Sequence, residues 1–327
     1  MIARVYFGGL GAVPGPPLVS LLATRPRHMQ TAASLSTILG QGYTGAANLD
    51  GRWLMLTASS AQEDDNLIKS SGSISNQIPS AAGEIPVRNR RSLNLSLSCN
   101  LTAESVALVR ENTLDWRLAG LNGKPSSLTV YLANGEGYTS EEAYVRSAAL
   151  SAPDGGLCTC TFSVVAYCWS DLFSLTTTPR SQARFIPFGS ALHQPIPHWM
   201  TTVDHPGHPG IPLSWSLSLD NGYSFHQLCE HTPYPPTPRV VVPGPLIADL
   251  NLTTLAVSGS RPAETAVNVA VRIGGGTTAG VTVPMTTFSI PLMYRDPARS
   301  AQGFGDQNTP IRWQSSWKAL GAVPVAA

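Results

Sequence analysis

SLNLSLSCNLT (92–102) places Leu93, Leu95, Leu97, Cys99 and Leu101 at every second position and fills the gaps with Asn94, Ser96, Ser98 and Asn100. A strand sends successive side chains to opposite faces, so this stretch reads as a strand with one face buried and the other coated in small polar groups. Working outward, AESVALVRE (103–111) predicts a short helix with Thr102 as N-cap and Glu104 in its first turn. Upstream, RWLMLTA (52–58) predicts a strand, and residues 60–91 read as a polar connection ending in Arg88, Asn89, Arg90 and Arg91. Downstream, SLTVYLANG (127–135) and LCTCTFSVVAYCW (157–169) read as strands. Between them Thr139-Ser140-Glu141-Glu142 resembles a capping box and predicts a helix over 141–150. Residues 30–39 carry a further short helical pattern before Gly40.

The same grammar returns after a Pro-rich stretch. TTTPRSQARFIPFGSALHQPIPHWMTTVDHPGHPGIP (176–212) reads as a connection and holds the boundary between two units. LSWSLSLDNG (213–222) alternates again and stops at Asn221-Gly222, a hairpin-turn signal. In PRVVVPGPLIADLNLTTLAVSG (238–259), Asn251-Leu252-Thr253 echoes Asn100-Leu101-Thr102. AVNVAVRIGGGTTAGVTVPMTTFSIPLMY (266–294) predicts a hairpin around Gly274–Gly280 and a closing strand, with VNVAVRIGGG standing where LTVYLANG stands in the first half. The expected class is mainly β, as two tandem β-sandwich or barrel-like domains, each with a short flanking helix, plus extended arms. The expected boundaries are an N-terminal arm 1–28, a first domain 29–178, a linker 179–212, a second domain 213–300 and a polar tail 301–327.

Composition narrows the function. Lys and Arg number 21 against 20 Asp and Glu, so neither a strongly basic nucleic-acid binder nor an acidic tail is present. Only 13% of residues are charged, which leaves a Ser/Thr/Asn/Gly surface weakly protected against self-association. No uninterrupted apolar stretch reaches the ~18 residues of a bilayer-spanning helix, and no signal peptide is evident. The five cysteines are an odd number, and Cys158, Cys160 and Cys168 share one apolar segment, so they read as free buried thiols.

Motifs that carry chemistry are sparse. IGGGTTAG lacks the Lys-Ser/Thr ending of a phosphate loop and is flanked by strands, so it reads as a turn. No Gly-x-Ser-x-Gly occurs, and Ser315-Ser316-Trp317-Lys318 lacks the helix that a Ser-x-x-Lys nucleophile needs. His205 and His208, beside Asp204, are weak metal-ligand candidates on a turn-rich loop. No catalytic residue and no cofactor is expected. Arg88, Arg90 and Arg91 are candidates for an intersubunit clamp onto carboxylates of a neighbouring copy, planar multi-donor contacts being the speciality of arginine. Trp53, Trp116, Trp169, Trp199, Trp215, Trp313 and Trp317 are the stacking platforms that a carbohydrate module would use.

SLNLSLSCNLTAES leading to LTVYLANG, and SLSLDNG with VVVPGPLIADLNLTTLA leading to VNVAVRIGGG, together resemble tail tube proteins of long-tailed bacteriophages, over roughly residues 50–300. The resemblance implies a strand-rich sandwich with a flanking helix, rings of three duplicated chains or six single ones, and rings stacked into a tube that conducts DNA during ejection. It implies as partners the chain itself, tape-measure, tail-terminator and distal-tail proteins, and passing contact with genomic DNA, with no membrane. The place would be the virion tail, assembled in the host bacterial cytoplasm. Most ring-to-ring contacts are then expected in 1–28, 60–91 and 296–327. Distal-tail and capsid-decorating proteins are the neighbouring alternatives.

Overall fold

A computed structural model describes residues 2–8, 45–49, 52–70, 85–132, 136–169, 173–174, 194–206, 210–226, 240–255, 265–278, 280–303, 312–320 and 325–326. β1 (Ile2–Gly8), β2 (Gly45–Leu49), β3 (Arg52–Ser70) and β4 (Ile85–Asn100) precede helix α1 (Ala103–Arg110). β5 (Ser126–Leu132), β6 (Glu136–Ala152), β7 (Thr159–Trp169) and β8 (Phe173–Ser174) follow. A 3₁₀ turn at His198–Met200 leads into β9 (Thr201–Asp204), then β10 (Ile211–Asp220), β11 (Ser224–His226), β12 (Val240–Val242) and β13 (Ile247–Leu255). β14 (Val267–Ile273), β15 (Thr277–Thr278), β16 (Val281–Thr282), β17 (Thr286–Gly303), β18 (Arg312–Leu320) and β19 (Val325–Ala326) complete the described chain.

The protein is mainly β, as its alternation dictates. In the first half the pairings close on themselves in the order β1-β5-β6-β7-β4-β3-β2, with β1 and β2 parallel and the other pairs antiparallel. Such closure covers sheet edges, on β3 only as far as its pairing with β2 at Leu56. Within this ring β3-β4-β7-β6 lie side by side, and in the second half β10-β13-β18-β17 lie in the corresponding order. In both halves a preceding strand pairs with the first part of the long fourth one: β5 with β6, and β14, across the short β15–β16 ribbon, with β17. β17 changes partner from β14 to β18 beside Leu292, whose φ of 52° lies in the left-handed region. The halves meet where β6 pairs with β10, and one cluster of buried apolar side chains extends across both.

The flanking helix forms where its capping residues predict. The Thr102 hydroxyl accepts from Ser105 N–H (3.2 Å) and the Ser105 hydroxyl accepts from Thr102 N–H (2.8 Å), a reciprocal cap made with serine rather than glutamate. Val106, Leu108 and Val109 are buried. The helix widens into a π-turn at Glu111–Asp115, where Asn112 and Thr113 side chains donate back to the carbonyls of Leu108 and Val109. It ends after Leu118, with Gly120 at φ +70° and Leu121 N–H donating to the Trp116 carbonyl. Arg52 ties it to β3, bridging Glu111 and Glu104 at 2.5 and 3.3 Å. The Glu111 hydrogen bonds, opposed by partial burial, hold the guanidinium above its ordinary pKa.

Several expectations are corrected. The segment read as a helix over 141–150 is β6, because Val145, Ala148 and Leu150 bury into a ladder with β7 that a lone helix could not supply. Ser140, read as part of a cap, instead donates its hydroxyl to the Tyr167 carbonyl across the sheet. The described part of the polar connection 60–91 is strand: β3 and β4 pair from Leu56–Cys99 out to Ser70–Ile85. The described part of the 179–212 linker is built into the fold, since Ile196, Met200 and Val203 are buried and β9 pairs with β14. The polar tail supplies β18 between β13 and β17, where Ser315, Trp317 and Ala319 alternate inward. The start of the N-terminal arm is β1. Asn221-Gly222 is a break within a longer hairpin rather than its tip, because β10 carries on into β11 and returns through β12 and β13. Gly222 (φ +59°) meets Gly244 there; a Cβ on Gly244 would lie 2.5 Å from the Gly222 carbonyl oxygen. The helix expected over 30–39 lies outside the described residues.

Candidate functional site

The polar faces of the alternating strands join into one surface. Register places Ala58, Ser98, Thr161, Ala149, Ser218, Asp249, Lys318 and Tyr294 in a single row across β3, β4, β7, β6, β10, β13, β18 and β17. A second row runs Asn100, Thr159, Ser151, Ser216, Asn251, Ser316 and Asp296. A third runs Ser60, Ser96, Ser163, Ser147 and Asp220. The groups meet laterally: Ser98 and Thr161 hydroxyls lie 3.0 Å apart, Asn251 Nδ2 donates to Ser216 Oγ at 3.4 Å, and Lys318 Nζ is 4.0 Å from Asp249. These rows carry Asp220, Asp249 and Asp296 against Lys318, so the face is sparsely charged and slightly acidic.

The opposite face is apolar and runs equally unbroken. Leu56, Cys99, Cys160, Leu150, Leu217, Leu250 and Trp317 occupy one row of it, each at most 1% exposed. At about 1.5–3 kcal/mol for each large apolar side chain removed from water, this packing fixes which face turns outward. A register slip of one residue would bury the serines instead.

The seam between halves is locked by polar and aromatic contacts. Asn221, fully buried, donates from Nδ2 to the carbonyls of Asn112 (2.9 Å) and Val145 (2.7 Å). Arg117 donates to the carbonyls of Gly244 (2.9 Å) and Asn221 (2.8 Å) while lying 4.2 Å over the Trp116 ring. Burial lowers the Arg117 pKa. Tyr223 stacks on Trp116 at 5.7 Å, and its hydroxyl accepts from Lys124 N–H at 3.2 Å; burial raises it to about 12. Phe225 meets Tyr144 and Tyr167 at 5.5 and 5.4 Å. The β11–β12 ribbon of the second half thus lies on an aromatic cluster of the first.

The sequence-predicted candidates separate. Arg88, Arg90 and Arg91 sit on β4 opposite Leu67, Asn66 and Asp65, where the β3–β4 hairpin extends beyond the Leu93–Ala166 end of β7's pairing. His205 is buried, its ring 4.2 Å from that of Trp317; His208 lies outside the described residues. Among the described residues no three His, Cys, Asp or Glu side chains gather as a metal site, and no helix is long and apolar enough to cross a membrane. Cys99, Cys158 and Cys160 are free and buried, as the apolar setting predicts. Trp116, Trp215 and Trp317 are buried, so they are not stacking platforms, whereas Trp199 is 65% exposed. The seam residues Arg117 and Asn221 escaped sequence reading: Asn221 was legible only as a turn former, and nothing local marks Arg117. The chain matches no protein-family model and no curated protein sequence.

Proposed function

We propose that this chain is a structural virion protein: a tube-forming subunit of a long-tailed phage tail, whose copies close into rings that stack into a conduit for DNA. The observation that carries the reading is the sparsely charged polar face running without interruption across a seam between two halves of matching strand order. Matching halves are what tandem duplication of one tube domain produces, and a chain that already joins two such units edge to edge needs only to repeat that joint to close a ring. The polar sheet contributes eight strands per copy. With strands ~4.8 Å apart and tilted ~40°, three copies close to a backbone diameter on the order of 50 Å, whereas two reach only about 33 Å before side chains fill the interior. Three copies therefore leave room for a DNA duplex.

The chemistry of the face suits passage rather than binding. DNA affinity comes chiefly from cations that displace counterions. A wall of Ser, Thr and Asn with a slight acidic excess offers the duplex hydration without a grip. Tape-measure, tail-terminator and distal-tail proteins are the partners this role requires, with the virion tail as the place of action and the host bacterial cytoplasm as the site of assembly. The protein acts by assembling, without catalysis or cofactor.

Negative-stain microscopy of concentrated purified protein tests the proposal. Rings or hollow tubes are expected; a monodisperse monomer at high concentration refutes it. A second arm places arginine at Ser216 and Ser218, both half-exposed on the polar face. Assembled particles of that variant should retain duplex DNA at low salt and release it as salt rises, while the wild type retains none.

A further inference from the structure

We infer that the contact between copies is of the same kind as the contact between halves, an antiparallel pairing of strand edges: the Tyr294–Gly303 edge of β17 in one copy pairs with the β3 edge from Ala58 onward in the next. The inference rests on the ring reading above and specifies its partner surface. On one side β6 pairs first with β5 and then, over Ser147–Ala152, with β10. Its counterpart β17 pairs first with β14, over Val267–Met293 register, but from Tyr294 onward pairs among the described residues with β18 alone. β10 has β13 on one side and β6 on the other. Its counterpart β3 has β4 on one side and β2 only over Arg52–Leu56, so from Ala58 it too has one described partner. The polar sheet thus begins and ends on long strands with an open edge, a hazard unless another strand covers them. Antiparallel joining of these two open stretches, the sense in which β6 meets β10, sets Tyr294–Gly303 beside β3 residues beyond Ala58, so the residue rows step along the strand from one copy to the next, as the stagger of a closed barrel requires.

A further observation agrees. The β11–β12 ribbon, the extension of the β10–β13 hairpin, lies on the half that supplies β6. The corresponding extension of the β3–β4 hairpin carries Arg88, Arg90 and Arg91, and the same relation lays it on the neighbouring copy's second half, where Leu292 and Tyr294 are 58% and 59% exposed.

Two variants that each add one cysteine to the five native ones, Gln62→Cys and Tyr294→Cys, test the joint, with the wild type as the control for linkage through native thiols; both added positions are exposed and belong to the polar face. Each is purified alone, the two are mixed under assembling conditions, and a short bismaleimide is added. A covalent dimer in the mixture, at least about tenfold above either variant alone and above the wild type, is expected, because a short bismaleimide joins only thiols that the joint holds within the reach of its spacer. Rings in the micrographs without the mixed dimer overturn this joint and leave the ring reading standing; absence of rings overturns both. Arg88→Glu/Arg90→Glu/Arg91→Glu keeps its monomeric β spectrum and loses assembly if the hairpin docks as inferred. Unchanged assembly of that variant overturns the docking.

Discussion

Replacing Asn221 by alanine tests the seam between halves. The side chain is completely buried and donates to two carbonyls of the first half, Asn112 at 2.9 Å and Val145 at 2.7 Å. The two losses are unequal. The Asn112 carbonyl keeps the Trp116 indole N–H at 3.0 Å, so losing Asn221 costs it about 0.5–1.5 kcal/mol, an ordinary net hydrogen bond. The Val145 carbonyl loses a short-range donor at a register shift in β6, with a penalty of about 1–3 kcal/mol for a buried acceptor left wanting. The sum is roughly 1.5–4.5 kcal/mol. At about 2 cal/mol/K per residue, a chain of 327 residues that unfolds as one unit loses about 2–7 °C in Tm. Scanning calorimetry and urea unfolding read this directly. Asn221→Asp should be worse than Asn221→Ala, since a carboxylate oxygen would face carbonyl oxygens. A loss under about 0.5 kcal/mol for alanine, or an aspartate variant as stable as wild type, refutes the account of the seam.

Three further outcomes follow from single sites. Thr102→Ala removes half of the reciprocal cap of α1 and should cost about 1 kcal/mol, read by urea unfolding, with Thr102→Ser largely restoring it. Burial pushes the Cys158 thiol up to about 12 and the Cys160 thiol well above its ordinary value, so native protein at pH 8 should label at both only as fast as it opens, whereas urea-unfolded protein labels at once. Burial lifts the Glu142 carboxyl above 4.5, against a hydrogen bond from Tyr144 that favours ionisation. The folded state therefore binds the proton more tightly than the unfolded one, and the destabilisation is absent below the unfolded value and grows as pH rises through the folded one. Glu142→Gln, which keeps an acceptor for Tyr144, should gain stability relative to wild type as pH rises from 4 to 7; a pH-independent difference counts against it.

Alternation along Leu93–Leu101, Trp215–Leu219 and Leu250–Leu252 determined, without any tertiary information, which side chains are buried, because the two-residue period of a strand is local geometry. Thr102 marked the helix start for the same reason: a cap is satisfied within three residues. The likeness of Asn100-Leu101-Thr102 to Asn251-Leu252-Thr253, and of 128–135 to 267–276, pairs β4 with β13 and β5 with β14, the pairs that occupy corresponding positions in the two halves. What only the tertiary structure decided is partnership. Residues 141–150 hold helix-forming Ala and Glu and a cap-like opening, yet they become β6 because ladders with β7 and β10 and burial of Val145, Ala148 and Leu150 outweigh a weak local preference. Trp317 and Val203 lie in stretches whose Pro, Gly and polar content resembles connection, and nothing within a few residues reveals the cavity that each fills. A period says which way a side chain points; which strand lies beside it is set by contacts a hundred residues away, as Arg117 and Gly244 illustrate across the seam.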